Sequence, residues 1–146
     1  MSTITRRVWS TSGIAVFAAA LLPGAAPAQP AAAKNKVVFQ VSDNDPARWT
    51  LLFNNAGNLQ ADVGAANVDM EIVAYGPGLA MLRAGSPVAQ RVTAALQSGV
   101  KVVACQNTMK AQQLTQADML TDIGYVPSAV VELMQKQQQG YAYIRP

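Results

Sequence analysis

Apolar positions along the chain form two kinds of run, nearly continuous stretches and stretches with helical spacing. Residues 37–41, Val37-Val38-Phe39-Gln40-Val41, are of the first kind and predict a strand covered on both faces. The polar turn Ser42-Asp43-Asn44-Asp45 follows, and Pro46 stands where a helix begins. Asn44 or Asp45 can accept the free N–H groups of a first turn, and Pro46 has no N–H to leave unpaired. Beyond it Trp49, Leu52, Phe53, Ala56, Leu59 and Val63 recur at helical spacing, one stripe to lay against a sheet, and Gly64 supplies the stop.

The same alternation continues. Val68–Ala74 reads as a strand ending in Tyr75-Gly76-Pro77-Gly78, after which residues 79–82 allow one or two helical turns. Ser86-Pro87 repeats the cap-then-proline signature and opens a helix with Val88, Val92, Ala95 and Leu96 inward and Gly99 after it. Residues 100–104 make a third strand, which delivers Cys105 at its carboxyl end ahead of Gln106-Asn107-Thr108 and a short helix. The pattern loosens over residues 115–124, where Thr115 caps a turn running to Leu120. Tyr125-Val126 fits a short strand before Pro127, residues 128–139 a helix stopped by Gly140, and residues 141–144 a last strand. Strands alternating with helices imply right-handed crossovers, and hence a single three-layer, doubly wound α/β domain with a mostly parallel sheet of about five strands. Ligands of such sheets bind beyond the carboxyl ends of the strands. Three segments meet there: residues 42–45, 75–78 and 105–108.

The first 28 residues follow another grammar. Arg6 and Arg7, an apolar run at residues 13–22 and the small residues Ala26-Pro27-Ala28 predict a signal peptide cut after Ala28. Residues 29–35 are then a linker and residues 36–146 the domain. The run falls short of the roughly 20 apolar residues that span a bilayer, so the expectation is a periplasmic protein with no membrane contact after cleavage. Thr5-Arg6-Arg7-Val8-Trp9 also fits the start of a twin-arginine signal, which leaves the export route open.

Charge and composition narrow the function. Eleven basic against eight acidic residues give +3, and loss of Arg6 and Arg7 leaves +1 without a basic cluster, which argues against nucleic acid as a partner. No histidine is present, which removes Ser-His and Cys-His catalysis, histidine metal sites and imidazole acid/base work. One cysteine cannot make an internal disulfide, so the core alone holds the domain. At a strand-to-helix junction Cys105 is either a thiol of depressed pKa or a small buried hydrophobe. Gly76 and Gly78 either offer N–H groups to an anion or serve a turn, and Asn107 and Thr108 either bond to what Cys105 carries or cap the next helix. Asn54 and Asn55 are unusual inside a helix and face the crevice, an interface or solvent. Met70, Met81, Met109, Met119 and Met134 form no metal-binding spacing and read as core, and nothing calls for a cofactor.

The segments Val73-Ala74-Tyr75-Gly76-Pro77-Gly78-Leu79 and Ala104-Cys105-Gln106-Asn107-Thr108-Met109 resemble the DsrE/DsrF-like family, and the resemblance runs from Lys36 to Pro146. It implies a small α/β domain that assembles as a trimer or hexamer and relays sulfur on a strand-end cysteine, here Cys105. The implied partners are small sulfur species or a sulfur-acceptor protein. Two other readings stay open: a non-catalytic, oligomeric ligand-binding or assembly module with a structural Cys105, and a redox-sensing thiol.

Overall fold

The apolar runs become five parallel strands in a computed structural model, which describes residues 34–146. The expected signal peptide, its cut after Ala28 and residues 29–33 of the linker lie outside the described residues. The strands are β1 (Asn35–Val41), β2 (Val68–Ala74), β3 (Lys101–Cys105), β4 (Gly124–Val126) and β5 (Ala142–Ile144). They lie in the order β4-β3-β2-β1-β5, every pair parallel, where the sequence pattern promised only a mostly parallel sheet. The register pairs Val41 with Ala74, Ala74 with Ala104 and Cys105 with Val126, so four strands end flush.

Helices α1 (Pro46–Val63), α2 (Ala89–Gln97), α3 (Gln106–Ala111) and α4 (Ala129–Gln138) connect the strands. Asp45 caps α1 by accepting from the N–H groups of Ala47 and Arg48. Side chains alternate across each strand, and the two faces have separate cores. Phe39, Ile72, Val102 and Ala104 pack with Trp49, Leu52 and Val92 beneath α1 and α2, in the larger core. Val38, Val73 and Cys105 pack with Ala129, Leu133 and Tyr141 beneath α4, in a smaller one.

Several boundaries move from their expected places. The strand bearing Cys105 starts at Lys101 and includes the cysteine, while β1 takes in Asn35, which pairs with Val68. Helix α2 starts at Ala89 and not at Ser86-Pro87. The Ser86 hydroxyl accepts from Val88 N–H and the Ser86 carbonyl from Ala89 N–H, which closes a separate turn first. Thr115 does cap a turn, reciprocally with Asp118, but that turn ends at Asp118. Among the described residues, no helix is long and apolar enough to cross a membrane.

Candidate functional site

Cys105 is the last residue of β3 and the cap of α3, and strand parity turns its side chain toward α4. Pairing of Cys105 with Val126 brings the Pro127-Ser128-Ala129 corner beside the sulfur. Ala129 N–H, at the start of α4, donates to Sγ at 3.4 Å. Thr108 adds a second donor: its Oγ1 accepts from Gly76 N–H at 3.0 Å, which leaves its own hydrogen for Sγ. Burial, with only 5% of the residue exposed, pushes the thiol pKa up. The Thr108 hydroxyl and, next, the Ala129 N–H lead the groups that outweigh it, so the thiol is more acidic than its ordinary 9.0. Every polar group aimed at the sulfur is a donor, an arrangement that favours negative charge there.

Gly76 and Thr108 meet beside this corner with Asn107 next in the chain, whereas Gly78 lies against the carboxyl end of β1. Gly76, at φ +53°, sits in the left-handed region and passes its N–H to Thr108. Gly78 N–H donates to Ser42 O at 3.0 Å, and a Cβ on Gly78 would lie 2.5 Å from Val41 O, so only glycine fits that approach. Both N–H groups are thus engaged within the chain. Asn107 is exposed, and its N–H donates to Pro127 O at 3.2 Å, tying α3 to the segment that leads into α4.

Two polar groups that the sequence reading passed over lie on the same face. Gln40 is buried in β1 and donates to Ser42 Oγ and to the Tyr75 hydroxyl, both at 2.8 Å, while the Tyr143 hydroxyl donates to Gln40 Oε1. Glu71, in β2, is 3% exposed and meets Lys136 Nζ at 2.5 Å. Burial pushes the Glu71 carboxyl above its ordinary value, and Lys136, despite its own burial, is raised by that carboxylate. Glu71 Oε1 has no hydrogen-bond partner. The signal was available for Gln40, which interrupts the apolar run of β1, but not for Glu71, which with Asp69 alternates with apolar residues as on a half-exposed strand.

Other candidates lie elsewhere. Asn54 is exposed on α1 and holds the Arg91 guanidinium at 3.0 Å, on the opposite face of the sheet from Cys105. Asn55, also on α1, is half-buried. Met70, Met81, Met109 and Met119 belong to the larger core, and Met134 is exposed on α4. At the carboxyl ends of β1 and β5, the neighbouring strands joined to α1 and α4 on opposite faces of the sheet, Asp43 is bracketed by Arg145 at 3.0 Å and Arg48 at 3.6 Å. The thiol therefore lies two strands away from the point where an open α/β sheet usually binds ligands.

The DsrE/DsrF-like family matches residues 35–146, all five strands and the Cys105 corner included. The chain belongs to this family. The solved structure of a protein of unknown function, MTH1491, from Methanobacterium thermoautotrophicum is similar at 36% identity and a TM-score of 0.74, over 77% of this chain and 100% of that one. The ychN protein from E. coli shares the fold at 15% identity and a TM-score of 0.61, over 78% of this chain and 99% of that one. No curated protein matches the sequence.

Proposed function

We propose that this DsrE/DsrF-like protein carries sulfane sulfur as a persulfide on Cys105. The observation that carries the reading is the pair of donors at Sγ, the Thr108 hydroxyl and the Ala129 N–H, which lower the thiol pKa against the pull of burial. Association of the family with sulfur relay agrees with it. The Cys105 thiolate attacks the terminal sulfur of a polysulfide, the donor's S–S bond breaks, and the shortened polysulfide leaves with the electron pair. An acceptor thiolate then takes the outer sulfur and returns Cys105 to its thiolate. No general base is needed once the thiol is ionised, which suits a chain without histidine. Gly76 acts through Thr108, Gly78 fixes the loop that holds Gly76, and Asn107 joins α3 to the start of α4. Cold cyanolysis tests the proposal. After polysulfide treatment and desalting, the wild type releases about one thiocyanate per chain and Cys105→Ser none; equal release from both overturns it.

Burial of Cys105 favours the second reading, a binding or assembly module with a structural cysteine. That reading predicts a native thiol inert to alkylation. We also propose export, with the mature chain starting at Gln29 in the periplasm, which amino-terminal sequencing of the fractionated protein checks. For assembly we propose a second copy of this chain on α4 and β5. Val130, Val131, Met134, Tyr143 and Ile144 are exposed there, and an uncharged apolar face can meet its own copy without repulsion. Sedimentation should show a trimer or hexamer that Met134→Glu dissociates; a monomeric wild type refutes it.

A further inference from the structure

Two residues in the middle of α1, Asn54 and Gly57, work against the helix that contains them. Asparagine offers the backbone competing hydrogen bonds, and glycine in a helix interior is less stable than alanine. Asn54 has a partner that explains it, since its Oδ1 accepts from Arg91 Nη1 at 3.0 Å. Gly57 has none: a Cβ there would meet no atom within 4 Å, so nothing inside the chain requires glycine.

Both residues line the same space. Helices α1 and α2 lie side by side over the larger core and are joined by two rungs. At one, Arg91 Nη1 donates to Asn54 Oδ1 at 3.0 Å and to Thr50 O at 3.1 Å. At the other, Gln60 Nε2 donates to Ser98 O at 3.1 Å. Asn54 and Gln60 are six residues apart on α1, which sets the rungs about 9 Å from each other along the axis. Between them the side chains are small, Gly57 on α1 and Ala94 on α2, and the helices do not close. The result is a cleft of about 290 Å³ floored by the buried Ala56, Ala95 and Val100.

The way Arg91 is held fixes what the cleft can take. Both N–H groups of Nη1 are spent on neutral acceptors. Among the described residues, the Nε and Nη2 edge makes no hydrogen bond and no carboxylate pairs with Arg91. That edge carries two parallel N–H groups, which match the two oxygens of a carboxylate. A guanidinium already oriented through one edge loses less freedom when the other is occupied. Behind it the floor is apolar, so a bare inorganic anion would use Arg91 and leave the rest of the cleft wet. A carboxylate with a narrow apolar tail uses both.

We propose that the cleft between α1 and α2 binds a small organic carboxylate, its charged end on the free edge of Arg91 and its tail along Gly57 over Ala56, Ala95 and Val100. Glycine stands at 57 because the tail lies against the helix backbone there, and Asn54 stands inside a helix because it holds Arg91 at the mouth. The site is on the face of the sheet opposite α4, so a second copy on α4 and β5 leaves it open. It is independent of the persulfide reading.

Octanoate is the probe, titrated into the protein by calorimetry beside octanol, which has the same tail without the charge. Octanoate should bind saturably and octanol about tenfold or more weaker, because the charge-assisted pair is missing. Arg91→Gln should weaken octanoate by a similar factor, and Arg91→Lys, which keeps the charge and loses the fork, should restore only part of it. Gly57→Leu fills the cleft from a position with room for a side chain, so it should abolish binding while the urea midpoint stays at or above that of the wild type. Ala94→Leu repeats that test from α2. Cys105→Ser should bind octanoate as the wild type does, so loss of sulfur chemistry and loss of this site are read separately. The proposal is overturned if octanoate does not saturate, if octanol binds equally well, or if folded Gly57→Leu and Ala94→Leu both bind octanoate like the wild type.

Discussion

Thr108→Val tests how the thiol is made acidic. Valine keeps the branched shape and removes the hydroxyl that donates to Cys105 Sγ and accepts from Gly76 N–H at 3.0 Å. A hydrogen bond to a charged group contributes about 1.5–3 kcal/mol, and about 1.4 kcal/mol is a factor of ten, so the thiolate-to-thiol ratio at a fixed pH should fall roughly 10- to 100-fold. The lost donor favoured the charged form, hence the pKa rises. The ratio falls by the same factor at every pH, whereas the thiolate fraction shows the deficit most below the wild-type midpoint and loses it at pH above both midpoints. Alkylation slows less than the ratio falls, because a more basic thiolate is a better nucleophile; with about half of the logarithmic change returned, the rate drops roughly 3- to 10-fold. Ultraviolet absorbance of the thiolate across a pH titration gives the ratio directly. Thr108→Ser, which keeps the hydroxyl, should titrate like the wild type. The reasoning is refuted if Thr108→Val, shown folded by urea denaturation, keeps a ratio within about twofold of wild type, since no charged hydrogen bond is worth so little.

Two further perturbations probe the scaffold. Gly78→Ala puts a Cβ 2.5 Å from Val41 O and 2.7 Å from Val41 C and should lower the urea midpoint by an amount equivalent to about 1–3 kcal/mol or more, whereas Gly57→Ala, with open space around its Cβ in the middle of α1, should raise stability by about 0.5–1 kcal/mol. Shifts of the same sign in the two variants would contradict that account. Tyr141→Phe should flatten both ends of the stability-pH curve. The Tyr141 hydroxyl holds the Asp69 carboxyl below its ordinary 3.8, so that stabilisation is present above 3.8 and lost as pH falls through the depressed value. Burial, then the bond to Asp69, push Tyr141 itself up to about 12, so its contribution is full below 10 and lost as pH rises through about 12. Identical urea midpoints for wild type and variant across both windows would refute it.

Strand and helix identity was legible because punctuation and periodicity agreed: Asp45-Pro46 opens α1, Gly64 closes it, and apolar runs such as Val68–Ala74 fit no amphipathic helix. Boundaries were less so. At α2 the proline signature was right about a turn and wrong about which turn, since the Ser86 hydroxyl and carbonyl were already committed to Val88 and Ala89. Cys105 stood out as a lone thiol at a strand end, but its surroundings did not. The Ala129 donor is 24 residues away and reaches the sulfur only because β4 pairs with β3, which nothing local to Cys105 specifies. The same holds for Gln40 and Tyr143, 103 residues apart, and for Glu71 with Lys136. Gln40 was visible as an anomaly in an apolar run, Glu71 was masked by its alternation with Asp69, and the partner of each depended on strand order and register. Family resemblance carried the rest, because the Tyr75 loop and the Cys105 corner are read together in it before their contact is known.

Intact mass of the mature protein after exposure to polysulfide tests the central claim most directly. The account predicts one sulfur-sized increment on the wild type, removed by a dithiol reductant and absent from Cys105→Ala. No increment on the wild type, or an equal increment on Cys105→Ala, would contradict it and leave Cys105 as a packing residue beneath α4.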